Sequence, residues 1–271
     1  MEKLFIGSIS SDGVKIHYSR TSQNFPPVIL LHGLTDNGLC FNRLAFSLYQ
    51  FYDVILPDAR GHGVSEAPGT GYDVAQFARD LQALVSVLDL HKPMVIGHSM
   101  GAATAARFAA DYPESLSGVV LIDPPWFSGD LYSEEHYELS RKTHIEDIRN
   151  FHQMTLQELD VHIRKEHPNW DEDEFLQWCK SKQQVKEEVI PIIRSIVDGW
   201  EKTADRIQCP TLLLTGNPTL GSIVTPETSA AIAAKHREWT IVNFPDAGHS
   251  IQRDSYEECK RTILDFLRKV Y

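Results

Sequence analysis

The sequence predicts an α/β fold built on one largely parallel sheet and interrupted once by a helical insert. Three observations carry this reading. Six short continuous apolar runs, Val28–Leu31, Val54–Leu56, Met94–Ile96, Gly118–Ile122, Leu212–Leu214 and Thr240–Phe244, have the length and character of strands buried on both faces. Segments with helical periodicity alternate with them. From Trp126 to about Asp205 the strand signal disappears and charged amphipathic segments replace it.

The chain begins differently, with two alternating runs, Leu4–Ile9 and Val14–Tyr18, separated by Ser11-Asp12-Gly13. An Asp-Gly pair between such runs predicts an antiparallel hairpin at the sheet edge. The clearest helix is Asp73 to Leu90. There Val74, Phe77, Ala78, Leu81, Leu84, Val85 and Leu88 recur on one face behind an Asp N-cap. Ala102–Ala110 is a second, rich in small residues and stopped near Pro113, and Cys259, Ile263, Phe266, Leu267 and Val270 mark a C-terminal one. Within the insert, Leu156–His167 and Asp171–Lys182 are amphipathic. Pro124 to Asp205 holds 18 acidic and 10 basic residues, a net −8 of the chain's −11, so the insert has a surface of its own. The expected division is a core of residues 1–123 and 206–271 with residues 124–205 inserted.

An apolar fraction of 42% across 271 residues is enough for a sizeable core. The charge of −11 disfavours nucleic acid or an anionic membrane as a partner, because both select a basic face. No run approaches the roughly 20 apolar residues of a membrane span, and the N-terminus lacks the apolar stretch of a secretory signal. Cys40, Cys179, Cys209 and Cys259 are scattered, as expected for reduced thiols in a cytoplasmic protein. Oligomeric state is not legible.

Gly97-His98-Ser99-Met100-Gly101 lies between an apolar strand and a small-residue helix. A Ser on so sharp a strand-to-helix turn needs small neighbours, which Gly97, Gly101 and Ala102 supply. The helix start behind it favours developing negative charge. Earlier, Leu30-Leu31-His32-Gly33-Leu34 ends a strand at a glycine, which places the Leu34 amide, with that of Met100, to bind an oxyanion. After the last strand, Asp246-Ala247-Gly248-His249-Ser250 offers a His on a glycine hinge, in the Ser-then-His order of a hydrolase triad.

Together VILLHGLTDNG, LPDARGHGVSEAP, VIGHSMGAATAARFAADYP, LIDPPW and FPDAGHSI resemble the α/β-hydrolase superfamily over nearly the whole chain. The resemblance implies an eight-stranded, mostly parallel sheet, a helical cap inserted after the sixth strand, and a Ser-His-acid triad. It also implies structural roles for Asp58 and Arg60 in the loop after the fourth strand. One departure stands out. The family's usual acid follows the seventh strand, and here that place holds Asn217 and Thr219, neither of which can carry charge. Asp123, at the end of the sixth strand in IDPP, is the leading substitute, since some members carry their acid there and neighbouring strands are only ~4.8 Å apart. Glu227, in a Thr-Pro-Glu helix start, and the lack of any effective acid are the alternatives.

The resulting expectation is a serine hydrolase of a small to medium apolar ester or lactone. Ser99 is the nucleophile, His249 the base, Asp123 the acid, and the Leu34 and Met100 amides the oxyanion donors. Trp126 and Phe127, just after the sixth strand, are expected to line the substrate pocket, whereas Trp170, Trp178 and Trp200 suit the cap's own core equally well. Cofactor-free perhydrolysis, C–C bond hydrolysis and a non-catalytic ligand-binding receptor or scaffold are the alternative functions. No cofactor is expected. Nor is a metal, because His136, His144, His152, His162 and His167 show no i, i+4 ligand pair.

Overall fold

The computed structural model describes residues 4–22, 24–127, 133–197 and 199–271, and of His136 the backbone only. The edge hairpin is β1 (Phe5–Ser11) and β2 (Val14–Arg20), paired antiparallel with Ile9 opposite Ile16. Asp12 and Gly13 turn it with φ of 49° and 80°, the paired positive values a tight hairpin demands. The remaining strands are β3 (Pro27–Leu31), β4 (Asp53–Pro57), β5 (Met94–His98), β6 (Gly118–Ile122), β7 (Thr211–Thr215) and β8 (Thr240–Asn243). They form one eight-stranded sheet in the order β1-β2-β4-β3-β5-β6-β7-β8, parallel from β4 to β8. Strands β4 to β7 are buried at every residue, which is why they read as continuous apolar runs.

Helices cover both faces: α1 (Asn42–Leu48), α2 (Val74–Val87), α3 (Met100–Asp111), α9 (Pro226–Lys235), α10 (Ile251–Asp254) and α11 (Tyr256–Val270). Asp73 caps α2 by accepting from the Gln76 amide at 2.9 Å. Thr225 caps α9, with Pro226 in its first turn. One core layer packs α2 and α3 against the sheet through Leu81, Leu84 and Phe108; the other packs α1 and α11 through Leu48, Ile263 and Leu267.

Between β6 and β7 the described residues form no strand. They form α4 (Glu134–Gln153), α5 (Leu156–Glu166), α6 (Glu172–Gln184), α7 (Ile192–Val197) and α8 (Trp200–Ala204). Helices α5 and α6 share a small core of Leu159, Ile163, Phe175 and Trp178, while Ile192 and Ile196 of α7 pack towards Phe77 and Met100 of the sheet layer. Among the described residues no helix is long and apolar enough to cross a membrane. Asp58 and Arg60 are structural: Asp58 accepts from the Gly38 and Val64 amides, and Arg60 donates twice to buried Asp80 at 2.7 Å.

Candidate active site

Ser99 sits between β5 and α3 with φ 53° and ψ −116°, a region a residue with a side chain enters only under constraint. The constraint is packing: a Cβ on Gly97 would strike the backbone at Gly101, and one on Gly101 the Leu31 carbonyl. Ser99 is half-buried, and its Oγ makes no hydrogen bond among the described residues. The Met100 amide opens α3 and has no acceptor within its helix, and the Leu34 amide likewise donates to no described backbone group. Gly33 brings that backbone close. A Cβ there would lie 3.6 Å from Ser99 Cβ and 3.1 Å from His98 Nδ1. Two uncommitted N–H groups therefore flank the serine.

His249 Nδ1 lies 2.6 Å from Asp123 Oδ2. Asp123 is wholly buried and has a φ of 41°, so the backbone turns left-handed at the end of β6 and the carboxylate lies against the loop after β7. Thr219 is exposed and Asn217 is occupied in capping a short turn, accepting from the Thr219 amide and hydroxyl. The loop after β7 instead serves Asp123. Ser222 Oγ donates to Asp123 Oδ1 at 2.7 Å, the Val224 amide to Oδ1 at 3.1 Å, and the Ile223 amide to Oδ2 at 2.9 Å. Glu227 is an exposed first-turn residue of α9 and makes no contact with His249.

Ser99 and His249 open into one cavity of ≈ 480 Å³ that is roofed by α4, α6 and α7. Phe127 lines it, along with Trp178, Phe151, Ile193 and Ile196. Trp126 does not. It is 1% exposed and stacks on Trp200 at 5.1 Å between ring centroids, beneath the cap beside α3. The expectation that Trp126 touches substrate is therefore corrected. After the turn at Asp123 and two prolines, residue 126 points into the core and residue 127 towards the cavity. Trp178 meets both of its expected readings, since it packs in the helical insert and faces the cavity at once.

His98 and a charged cluster were missed at the level of sequence. The His98 ring lies 4.6 Å from that of His249, and His98 Nε2 donates to the His249 carbonyl at 2.9 Å. Burial pushes His98 well below the ordinary histidine range, and the neighbouring His249 adds to the effect, so His98 is neutral. Beside it, Asp36, Lys182, Arg253 and Glu174 form a buried ion network between the core and α6. Burial alone would raise the Asp36 carboxyl, but Arg253 and Lys182 together hold it well below the usual range. The histidine loop is tied to the cap as well: Asp254 accepts from the Gly248 amide at 2.9 Å and from Trp170 Nε1 at 2.7 Å. No local pattern announces these partners, because they come from segments up to 217 residues apart. Among the described residues no group of three His, Cys, Asp or Glu side chains could hold a metal ion.

Comparisons with known proteins agree with this architecture. The N-formylmaleamate deformylase of Pseudomonas putida is 26% identical over 96% of both chains. The 2-(acetamidomethylene)succinate hydrolase of Mesorhizobium japonicum is 37% identical over 98 residues. That alignment spans 35% of the relative's own length, and several other curated relatives are matched over about a third of theirs. A crystal structure of an E-2-(acetamidomethylene)succinate hydrolase superposes with a TM-score of 0.84 at 20% identity, covering 98% of this chain and all of the other. A family model described as the alpha/beta hydrolase fold matches residues 26–256, so the chain belongs to the α/β-hydrolase family.

Proposed function

We propose that the protein is a serine hydrolase that cleaves a small to medium carboxylic ester or lactone through an acyl-enzyme. The observation that carries this reading is the 2.6 Å contact between Asp123 and His249 Nδ1 in the cavity that also holds Ser99. Asp123 orients the ring and stabilises its cation, and His249 Nε2 takes the Ser99 proton as Oγ attacks the carbonyl carbon. The Leu34 and Met100 amides hold the oxyanion. Collapse returns that proton to the leaving oxygen and leaves Ser99 acylated. Water then attacks, His249 takes its proton and passes it to Ser99, and the acid departs. Residues 124–205 act as the cap over a core of 1–123 and 206–271. The four unpaired cysteines fit the proposed cytoplasmic setting.

A second reading, hydrolysis of an amide-type acyl bond, is favoured by the full-length likeness to a protein named for deformylation. The chemistry at Ser99 is the same; only the leaving atom changes from oxygen to nitrogen. A fluorophosphonate probe tests the shared step, with a covalent adduct on Ser99 expected in folded protein and its absence fatal to both readings. Esters, lactones and N-formyl amides assayed side by side then separate them.

A further inference from the structure

The cavity over Ser99 is apolar along α7 and charged at one end, where Asp36, Lys182 and Arg253 line it with side chains no more than 8% exposed. Lys182 is fully committed. Its Nζ donates to the Thr35 carbonyl at 3.0 Å, Thr35 Oγ1 at 2.8 Å and Asp36 Oδ1 at 2.8 Å, which uses all three ammonium donors. Arg253 is not. Nε donates to Glu174 Oε2 at 3.3 Å and Nη2 to Asp36 Oδ2 at 2.9 Å, while Nη1 donates to no described residue. The guanidinium also lies over Trp170, 4.9 Å from its ring centroid, and a cluster serving only to join cap and core would be expected to meet the remaining N–H groups as well, because a desolvated cation with an unmet N–H is costly.

Charge points the same way. Lys182 and Arg253 share Asp36, one oxygen each. Arg253 also faces Glu174, whose carboxyl is pushed up by burial against the pull of Arg253 and is the readier of the two to be neutral. With both carboxylates ionised the corner is charge-balanced, and burial of Glu174 weakens the negative side of that balance. Asp147, the other carboxylate on the cavity wall, is exposed on α4 and repels an anion there, so the Arg253 end is the favourable place for one. Arg253 also lies four residues after His249, on the α10 turn that follows it directly. An anion held at Nη1 is therefore fixed relative to the base.

We propose that this corner is a subsite for a carboxylate on the substrate, received by Arg253 Nη1, so that the protein acts on acyl compounds carrying an acidic group in preference to neutral ones. This rests on the serine hydrolase reading for the reacting end, with Phe127, Trp178 and Ile196 packing the chain between the two ends. A cavity of ≈ 480 Å³ has room for a small bifunctional acid of this kind.

The test compares monoethyl glutarate with its neutral primary-amide analogue, and titrates glutarate into Ser99→Ala by calorimetry. Wild type is expected to favour the anionic ester in kcat/KM by about tenfold or more, the range for a hydrogen bond to a charged group. In Arg253→Met the ratio is expected to fall towards one, and glutarate binding is expected to be lost from Ser99→Ala/Arg253→Met. A wild-type ratio of one or less overturns the proposal, as does a preference that survives in folded Arg253→Met. Should that variant not fold, wild type alone decides: glutarate must slow fluorophosphonate labelling of Ser99 where sodium chloride of equal ionic strength does not, and no protection overturns the subsite. Failure of labelling itself would count against the hydrolase reading, while the glutarate titration would still report on Arg253.

Discussion

Asp123 and His249 meet at 2.6 Å across 126 residues of chain, and the loop after β7 grips Asp123 from the other side. A carboxylate is missing from that loop, yet the loop keeps its place beside the histidine by supplying donors to a carboxylate on the next strand. Each Asp123 oxygen accepts twice: Oδ1 from Ser222 and Val224, Oδ2 from Ile223 and His249.

Asp123→Asn is therefore expected to do two things. An amide NH₂ in the Oδ2 position faces the Ile223 N–H and turns His249 Nδ1 into an acceptor, which fixes the wrong tautomer. We expect kcat to fall by a factor on the order of 10⁴, as in the serine protease case from which the figure comes. The melting temperature should fall too, because a buried donor now opposes a donor at a cost of about 1–3 kcal/mol. Near wild-type turnover would remove Asp123 from the proposed triad.

Ser222→Ala leaves the charge on Asp123 and removes one of its four donors, along with the acceptor for the Gly216 amide at 3.0 Å. The expected loss is about 1–3 kcal/mol of stability, measured by urea unfolding. Turnover should fall far less than in Asp123→Asn. Equal losses in the two variants would mean that the loop, rather than the charge, governs the histidine.

Trp126 and Phe127 should part company. Trp126→Ala opens a void against Trp200 and Trp239 and is expected to cost about 3–5 kcal/mol of stability, with KM nearly unchanged in whatever folded fraction remains. Phe127→Ala is expected to raise KM for hydrophobic acyl groups with a smaller thermal shift. A KM effect confined to Trp126→Ala would reverse the assignment of the cavity wall.

Acid should destabilise the fold through histidines held neutral. Burial lowers both His32 and His98, and the geometry agrees: His32 Nε2 accepts from the Ala59 amide at 3.0 Å, a bond that protonation would break. Their unfolded values are near 6.5 and their folded values lower, so the unfolded chain binds more protons in between. Stability is then fully present above about pH 6.5 and declines below it, by up to about 1.4 kcal/mol per pH unit for each site until its folded value is reached. Chemical denaturation from pH 7.5 to 5 checks this; a flat profile would mean that these rings are protonated or exposed.

Most of the sheet was legible because the central parallel strands β4 to β7 are buried at every residue and so are largely apolar, as β6 from Gly118 to Ile122 shows, whereas β8 at the edge is only partly buried. Ser99, Asp123 and His249 stand out as candidates for a related reason: each stands just past a strand end, where small residues or prolines mark the turn. The side to which a residue points after such a turn was not legible. Trp126 and Phe127 are neighbours in sequence, and only the turn at Asp123 decides which faces the cavity. The Asp36, Lys182, Arg253 and Glu174 network was illegible in principle, since Glu174 and Lys182 read as the solvated face of an amphipathic segment until folding buries them against Asp36 and Arg253.

Asp254 bonds to the hinge of the histidine loop with one oxygen and to Trp170 of the cap with the other. The cap is therefore not an interchangeable module. A chimaera that grafts another family member's helical insert onto this core would leave Asp254 without its indole partner and Arg253 without Glu174, loosening the segment that carries His249. Recombination between relatives would have to move the α10 turn together with the cap, and the two should be inherited as one unit although β7 and β8 lie between them in the chain.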